Sequence, residues 1–94
     1  LPLLFLSAWS VHFGVSALKA DSLAAAADSY RQSLRLEEAA RALNEAIRLQ
    51  PNRAALYLAR AEVAAQLAAI SGKAEFADAE DFFLLKARAA SPRN

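Results

Sequence analysis

Two runs of apolar residues at helical spacing, separated by a three-residue break and closed by a proline, limit what residues 20–53 can become. In ADSLAAAADSYRQSLRLEEAARALNEAIRLQPNR, Leu23, Ala26, Ala27 and Tyr30 follow the i, i+3, i+4, i+7 rule. Leu36, Ala39, Ala40, Leu43, Ala46 and Ile47 repeat it in the second run. Each set forms one stripe on an α-helix. The short Ser33-Leu34-Arg35 link predicts a tight reversal between antiparallel helices. Ala27 and Ala39 are small where the helices should cross, and Tyr30 and Leu43 are large enough to fill the space beside them. Leu49 extends the apolar face. Pro51 ends the second helix by biasing Gln50 away from helical geometry.

Composition extends this reading to the whole chain. Of 94 residues, 56% are apolar, above the usual share of about 45–50%. Much of the excess is alanine, which favours helix and lets helices approach closely. With two glycines, three prolines and no strand-length alternation of apolar and polar residues, the fold class is all-α. Net charge is +1 with acids and bases interspersed, so no basic face invites nucleic acid. The absence of cysteine excludes disulfides and thiolate metal sites.

The first 19 residues differ in kind. LPLLFLSAWSVHFGVSAL has no Asp, Glu, Lys or Arg, and Lys19 is the first charged side chain. A helix over 2–18 is roughly 25 Å long at 1.5 Å per residue, at the lower limit for crossing a ~30 Å hydrocarbon core. Its apolar residues occur all round, which suits a buried helix or a membrane span. The favoured expectation is a membrane anchor formed by Leu3, Leu4, Phe5, Leu6, Trp9, Val11, Phe13, Val15 and Leu18. Spaced small residues such as Ser10 and Gly14 would permit close helix packing in a bilayer. Two other readings stay open. One is a helix buried in this domain or in a partner. The other is a signal peptide, disfavoured because Leu18-Lys19-Ala20 is a poor cleavage site. Leu1 is an unusual start, so the sequence reads as part of a longer protein. His12 is either an ordinary imidazole satisfied by a neighbouring helix or, less in keeping with a single histidine, a pigment or haem ligand; no cofactor is expected. No glycine or proline separates Val15 from Gln50, so the apolar helix is expected to run on past Ala20, straight or slightly kinked.

The remaining residues, 54–94, read as a second helical pair. Tyr57 and Ala61 take the aromatic and small positions of its first helix, and Ser71-Gly72 is the strongest turn signal. Ala87 precedes Pro92 by five residues, as Ala46 precedes Pro51. The two prolines are 41 residues apart, so this unit is longer than the first. Phe76, Ala79, Phe83 and Ala87 or Lys86 give the last helix an inner face; Phe82 is left over, as a groove residue, a contact to a further repeat or, the favoured reading, more core.

The 34-residue unit at 20–53 resembles a tetratricopeptide repeat, with Leu23, Ala27, Tyr30, Ala39, Leu43, Ala46 and Pro51 at the pattern's positions. Residues 54–94 resemble it more loosely, and residues 1–19 lie outside it. Leu34 departs from the pattern, which usually has glycine at that turn. The resemblance implies antiparallel helix-turn-helix units whose first helices line a partner-binding face. On this chain Asp28, Arg31, Gln32, Leu58, Glu62 and Gln66 would line that groove, unless they are merely solvated helix faces. No lysine and asparagine cluster is present to clamp a terminal carboxylate.

No catalytic or metal site is expected. Glu37-Glu38 and Glu80-Asp81 are sequence neighbours that diverge on a helix, and the arginines around the first pair suggest solvated ion pairs. There is no phosphate loop, HExxH or serine elbow. The leading expectation is a non-enzymatic, membrane-anchored repeat scaffold. It would be an accessory subunit binding proteins of a larger membrane complex, such as an energy-converting or photosynthetic one, with residues 1–19 in the lipid bilayer. The alternatives are the C-terminal repeat tail of a polytopic membrane enzyme that ligates or polymerises polysaccharide, and a soluble repeat adaptor.

Overall fold

The computed structural model describes residues 2–91, with side chains from Val15 onward. It is all-α, with four helices in chain order: α1 (Pro2–Gln32), α2 (Leu36–Leu49), α3 (Ala54–Ser71) and α4 (Ala74–Ala90). Neighbours in sequence are neighbours in space, with α1 on α2, α2 on α3 and α3 on α4.

Helix α1 is one uninterrupted element of 31 residues, joining the apolar start to the first repeat-like helix. At 1.5 Å per residue it is about 46 Å long, against about 21 Å for the 14 residues of α2. The shorter helix therefore covers only part of the longer one. Ala20 and Ala27 are buried in the core with α2, while Val15 and Leu18 are 56% and 71% exposed. Leu3, Leu4, Phe5, Leu6, Trp9, Val11 and Phe13, expected in the anchor, have side chains outside the described residues. No helix among the described residues is long and apolar enough to cross a membrane, so the transmembrane assignment of residues 1–19 has no support in the structure. Ser7, Trp9, Ser10 and His12 dilute the apolar run, and Lys19 ends it.

The reversal between α1 and α2 shows how the chain manages without glycine. Leu34 adopts φ +60°, the left-handed region. The Arg35 N–H donates to the Tyr30 carbonyl at 2.8 Å, and the Leu34 N–H to the Arg31 carbonyl at 3.0 Å. This is the Schellman arrangement, which satisfies carbonyls left open at a helix C-terminus. The contact that usually accompanies it is here the Arg35 guanidinium, 5.2 Å from the centre of the Tyr30 ring. The turn is tight, and its cost is a leucine held where glycine is at ease.

Helix α2 then starts with Glu37 and Glu38 in its first turn and carries Arg48 in its last, both favourable to the helix dipole. Its buried face is Leu36, Ala39, Ala40, Leu43 and Ala46, the stripe expected from the spacing. The helix ends at Leu49, and the Gln50 N–H still reaches the Ala46 carbonyl at 2.9 Å. Tyr57 braces the following turn, its hydroxyl donating to the Pro51 carbonyl at 2.6 Å.

Among the described residues most buried side chains are alanine, and Val63 is the largest that is fully enclosed. Alanine permits close approach but removes little apolar area from water. The few buried large residues, Leu36, Leu43, Leu56 and Val63, carry a disproportionate share of the burial free energy.

The second pair turns at Ser71–Gly72 as expected, with Gly72 at φ +70° and its N–H on the Ala68 carbonyl at 2.8 Å. Ser71 stitches this corner. Its hydroxyl donates to the Leu67 carbonyl at 2.7 Å and accepts the Lys73 N–H at 3.2 Å. On α4, Ala87 is buried, and Phe76, Ala79 and Phe83 are half-buried. Phe82 is not core. It is 53% exposed, sets its ring edge-on to Phe83 with centroids 5.2 Å apart, and lies under the Lys86 ammonium. Phe76 and Phe83 hold the inward line of α4, and the residue adjacent to Phe83 points about 100° away.

Candidate functional site: the face shared by α1 and α3

The first helices of the two pairs point in the same direction, each packed on α2, and are linked to one another by two ion pairs. Asp21 of α1 meets Arg53, at the start of α3, at 2.6 Å. About one helix-half further along, Arg31 of α1 meets Glu62 of α3. The near-equal spacing of the two pairs on both helices defines the parallel register.

Between these bridges Asp28, Arg31 and Glu62 rim a shallow hollow floored by Ala24, Ala27, Leu43 of α2, Ala59 and Val63. Arg31 is its hub. One guanidinium nitrogen reaches Asp28 Oδ1 at 3.1 Å and another reaches Glu62. Asp28 Oδ2 accepts a hydrogen bond from Gln32 Nε2 at 3.2 Å. The hydrogen bond to Asp28 is the largest cause raising the Arg31 pKa; desolvation opposes it, and the hydrogen bond to Glu62 adds to the rise. Arg31 therefore stays charged throughout the accessible pH range. Its positive charge stands between two carboxylates, so the rim carries an excess of negative charge.

Four of the six groove residues suggested by the resemblance are thus in one network: Asp28, Arg31, Gln32 and Glu62. Leu58 is elsewhere, 48% exposed in a separate hollow with Leu84 and Arg88 of α4. Gln66 is half-buried, and its Oε1 has no hydrogen-bond partner among the described residues.

Arg60, which the sequence reading passed over, occupies the junction of three helices. Its Nε donates to Asn44 Oδ1 of α2 at 2.9 Å, and its guanidinium stacks 4.6 Å from the centre of the Phe83 ring of α4. One terminal nitrogen is buried without a partner among the described residues, and desolvation lowers the pKa. The signal was present. Arg60 falls on the Leu56, Val63, Leu67 stripe, where a charged residue must either reach out or find a polar contact inside.

The remaining charges have simpler roles. Glu38 pairs with Arg35 at 2.6 Å, and Glu45 pairs with Arg48. The Arg48 hydrogen bond lowers the Glu45 pKa. Among the described residues no group of three His, Cys, Asp or Glu side chains is placed to hold a metal ion.

No protein-family model, curated protein or solved structure matches this chain.

Proposed function

We propose that the chain is a non-enzymatic helical-repeat scaffold. In this reading the α1–α3 face receives a protein segment, and the apolar start of α1 holds the module at a membrane complex. The observation that carries the proposal is the hollow where α1 and α3 are bridged across α2, with an apolar floor and a charged rim. This arrangement suits an extended or helical segment that presents a basic group toward Asp28 and Glu62. The tetratricopeptide resemblance is compatible with it, since first helices of successive units line the binding face in that family. The tether has its own support: no charged residue precedes Lys19, and Val15 and Leu18 are open on the part of α1 beyond α2.

Two measurements separate the parts. For the tether, the full chain is mixed with phosphatidylcholine vesicles and floated on a density gradient. It rises with the vesicles, and Leu6→Asp together with Val11→Asp keeps it at the bottom. A wild-type chain left at the bottom rejects the membrane role. For the groove, a photo-crosslinker at Gln32 in the native membrane joins the chain to one discrete protein, and Glu62→Lys abolishes the adduct. An adduct pattern indifferent to Glu62→Lys rejects the α1–α3 face as the binding surface.

A second reading rests on the lack of any described helix long and apolar enough to cross a membrane. In it, a partner protein rather than lipid covers the start of α1. It predicts no flotation with vesicles and co-purification that the two aspartate substitutions disrupt.

A further inference from the structure

We propose that the outer face of α4 pairs with the same face of a second copy of this chain, antiparallel and about a twofold axis. Asp81, Leu84, Leu85 and Arg88 recur at i, i+3, i+4, i+7 and line one shallow surface hollow. The stripe is turned away from Phe83, which is half-buried, and Ala87, which is buried, with its Leu84 and Arg88 edge bordering the hollow shared with Leu58 of α3. Leu84 and Leu85 are 43% and 64% exposed. Among the described residues neither Asp81 nor Arg88 has an ion-pair partner.

The order of these residues selects the occupant. Read along the helix, the stripe is acid, leucine, leucine, base. It is antisymmetric in charge and symmetric in shape about the point between Leu84 and Leu85. A twofold axis through that point, perpendicular to the helix, sets Asp81 against Arg88 of the copy and Arg88 against Asp81 of the copy. It also sets each Leu84 against a Leu85. Self-complementarity of this kind is what a twofold interface requires. Flanking charge pairs around an apolar seam fix orientation between paired helices. The parallel alignment would set like charges together and is disfavoured. The face is separate from the α1–α3 hollow, so the inference does not rest on the proposed function. One pair of 17-residue helices buries less than the roughly 1,200 Å² of a stable complex, so the dimer dissociates on dilution.

Sedimentation equilibrium of the full chain in mild detergent tests this over a concentration series. The wild-type chain shows a reversible monomer–dimer equilibrium. D81R and R88D each set like charges opposite one another and weaken self-association about tenfold or more. Mixing D81R with R88D restores the dimer as a heterodimer, because one chain then offers two bases and the other two acids. Circular dichroism shows that each variant retains its helices. A wild-type chain that is monomeric at every concentration overturns the proposal. A dimer indifferent to both substitutions places the contact elsewhere and overturns it too. So does a mixture that associates no better than either variant alone.

Discussion

The two helical pairs use the same plan and finish it differently. In the first pair, α2 buries Leu36, Ala39, Ala40, Leu43 and Ala46 between α1 and α3. In the second, α4 buries only Ala87 among its described side chains, and Phe82, Leu84 and Leu85 remain open. The helices themselves are comparable in length, at 14 and 17 residues. What separates them is a third helix. Helix α3 packs on α2 from the side away from α1, and no described element does the same for α4. A hairpin of this kind acquires a core when something packs across it, not when its two helices meet.

That contrast is most directly broken at its leucines. Leu43 is 2% exposed and Leu84 is 43% exposed. Leu43→Ala removes one of the few large core residues and costs about 2–5 kcal/mol. Leu84→Ala changes stability by no more than about 0.5 kcal/mol. Urea denaturation of both variants measures the difference, and equal losses would mean that α4 is covered after all.

Arg60 joins the two pairs, so its removal tests whether they unfold together. Arg60→Ala loses the Asn44 hydrogen bond and the stacking on Phe83. The expected cost is about 1–2 kcal/mol. Arg60→Met keeps the bulk, discards the partly desolvated charge, and costs less than the alanine variant. If thermal melts rank these two the other way, the guanidinium contributes more through polar contacts than its unpartnered nitrogen suggests.

The turns sharpen the comparison further. Leu34 and Gly72 both have positive φ, but only one is glycine. Leu34→Gly relieves the left-handed leucine and is expected to stabilise by about 1 kcal/mol, after the added freedom of the unfolded chain is offset. Gly72→Ala destabilises by about 1 kcal/mol for the same reason in reverse. A Cβ at Gly72 meets nothing within 4 Å, so its cost is conformational alone. Opposite signs in denaturation midpoints are the expected result.

The smallest effect is electrostatic. Arg48, chiefly through its hydrogen bond, holds the Glu45 carboxyl below its ordinary value of 4.5. A depressed carboxylate contributes stability that is present above its unfolded pKa and lost as pH falls through the folded one. Glu45→Gln should therefore leave the melt at pH 7 almost unchanged and flatten its decline below about pH 4.5. A large loss at pH 7 would show that this surface pair matters more than exposed pairs normally do.

Much of this fold was legible residue by residue. The spacing of Leu36, Ala39, Ala40, Leu43 and Ala46 predicted the buried stripe of α2, because helical period and burial are coupled through one geometry. Pro51 and Gly72 marked breaks for reasons internal to their own backbones. The candidate site was legible in half-measure. Asp28, Arg31 and Gln32 share one helical face, so their proximity follows from sequence. Glu62 joins them only because α3 settles beside α1. Leu58 is four residues from Glu62, yet it lines the hollow against α4, since a helix packed on two sides divides one stripe between them. Phe82 was given to the core as the favoured of three readings, but the inward line was already held by Phe76 and Phe83.

By itself, the sequence determined the helices, their breaks and the apolar character of the first 19 residues, because these depend on propensities and periods that act over a few residues. Only the tertiary structure decided that Arg31 would find Glu62, that Arg60 would lie between Asn44 and Phe83, and that α4 would keep an open face. Those outcomes depend on crossing positions and on which helix arrives beside which, and no local rule sets either. Leu34 stands at the boundary. Its residue type argues against a left-handed turn, and the packing of α2 against α1 holds it there.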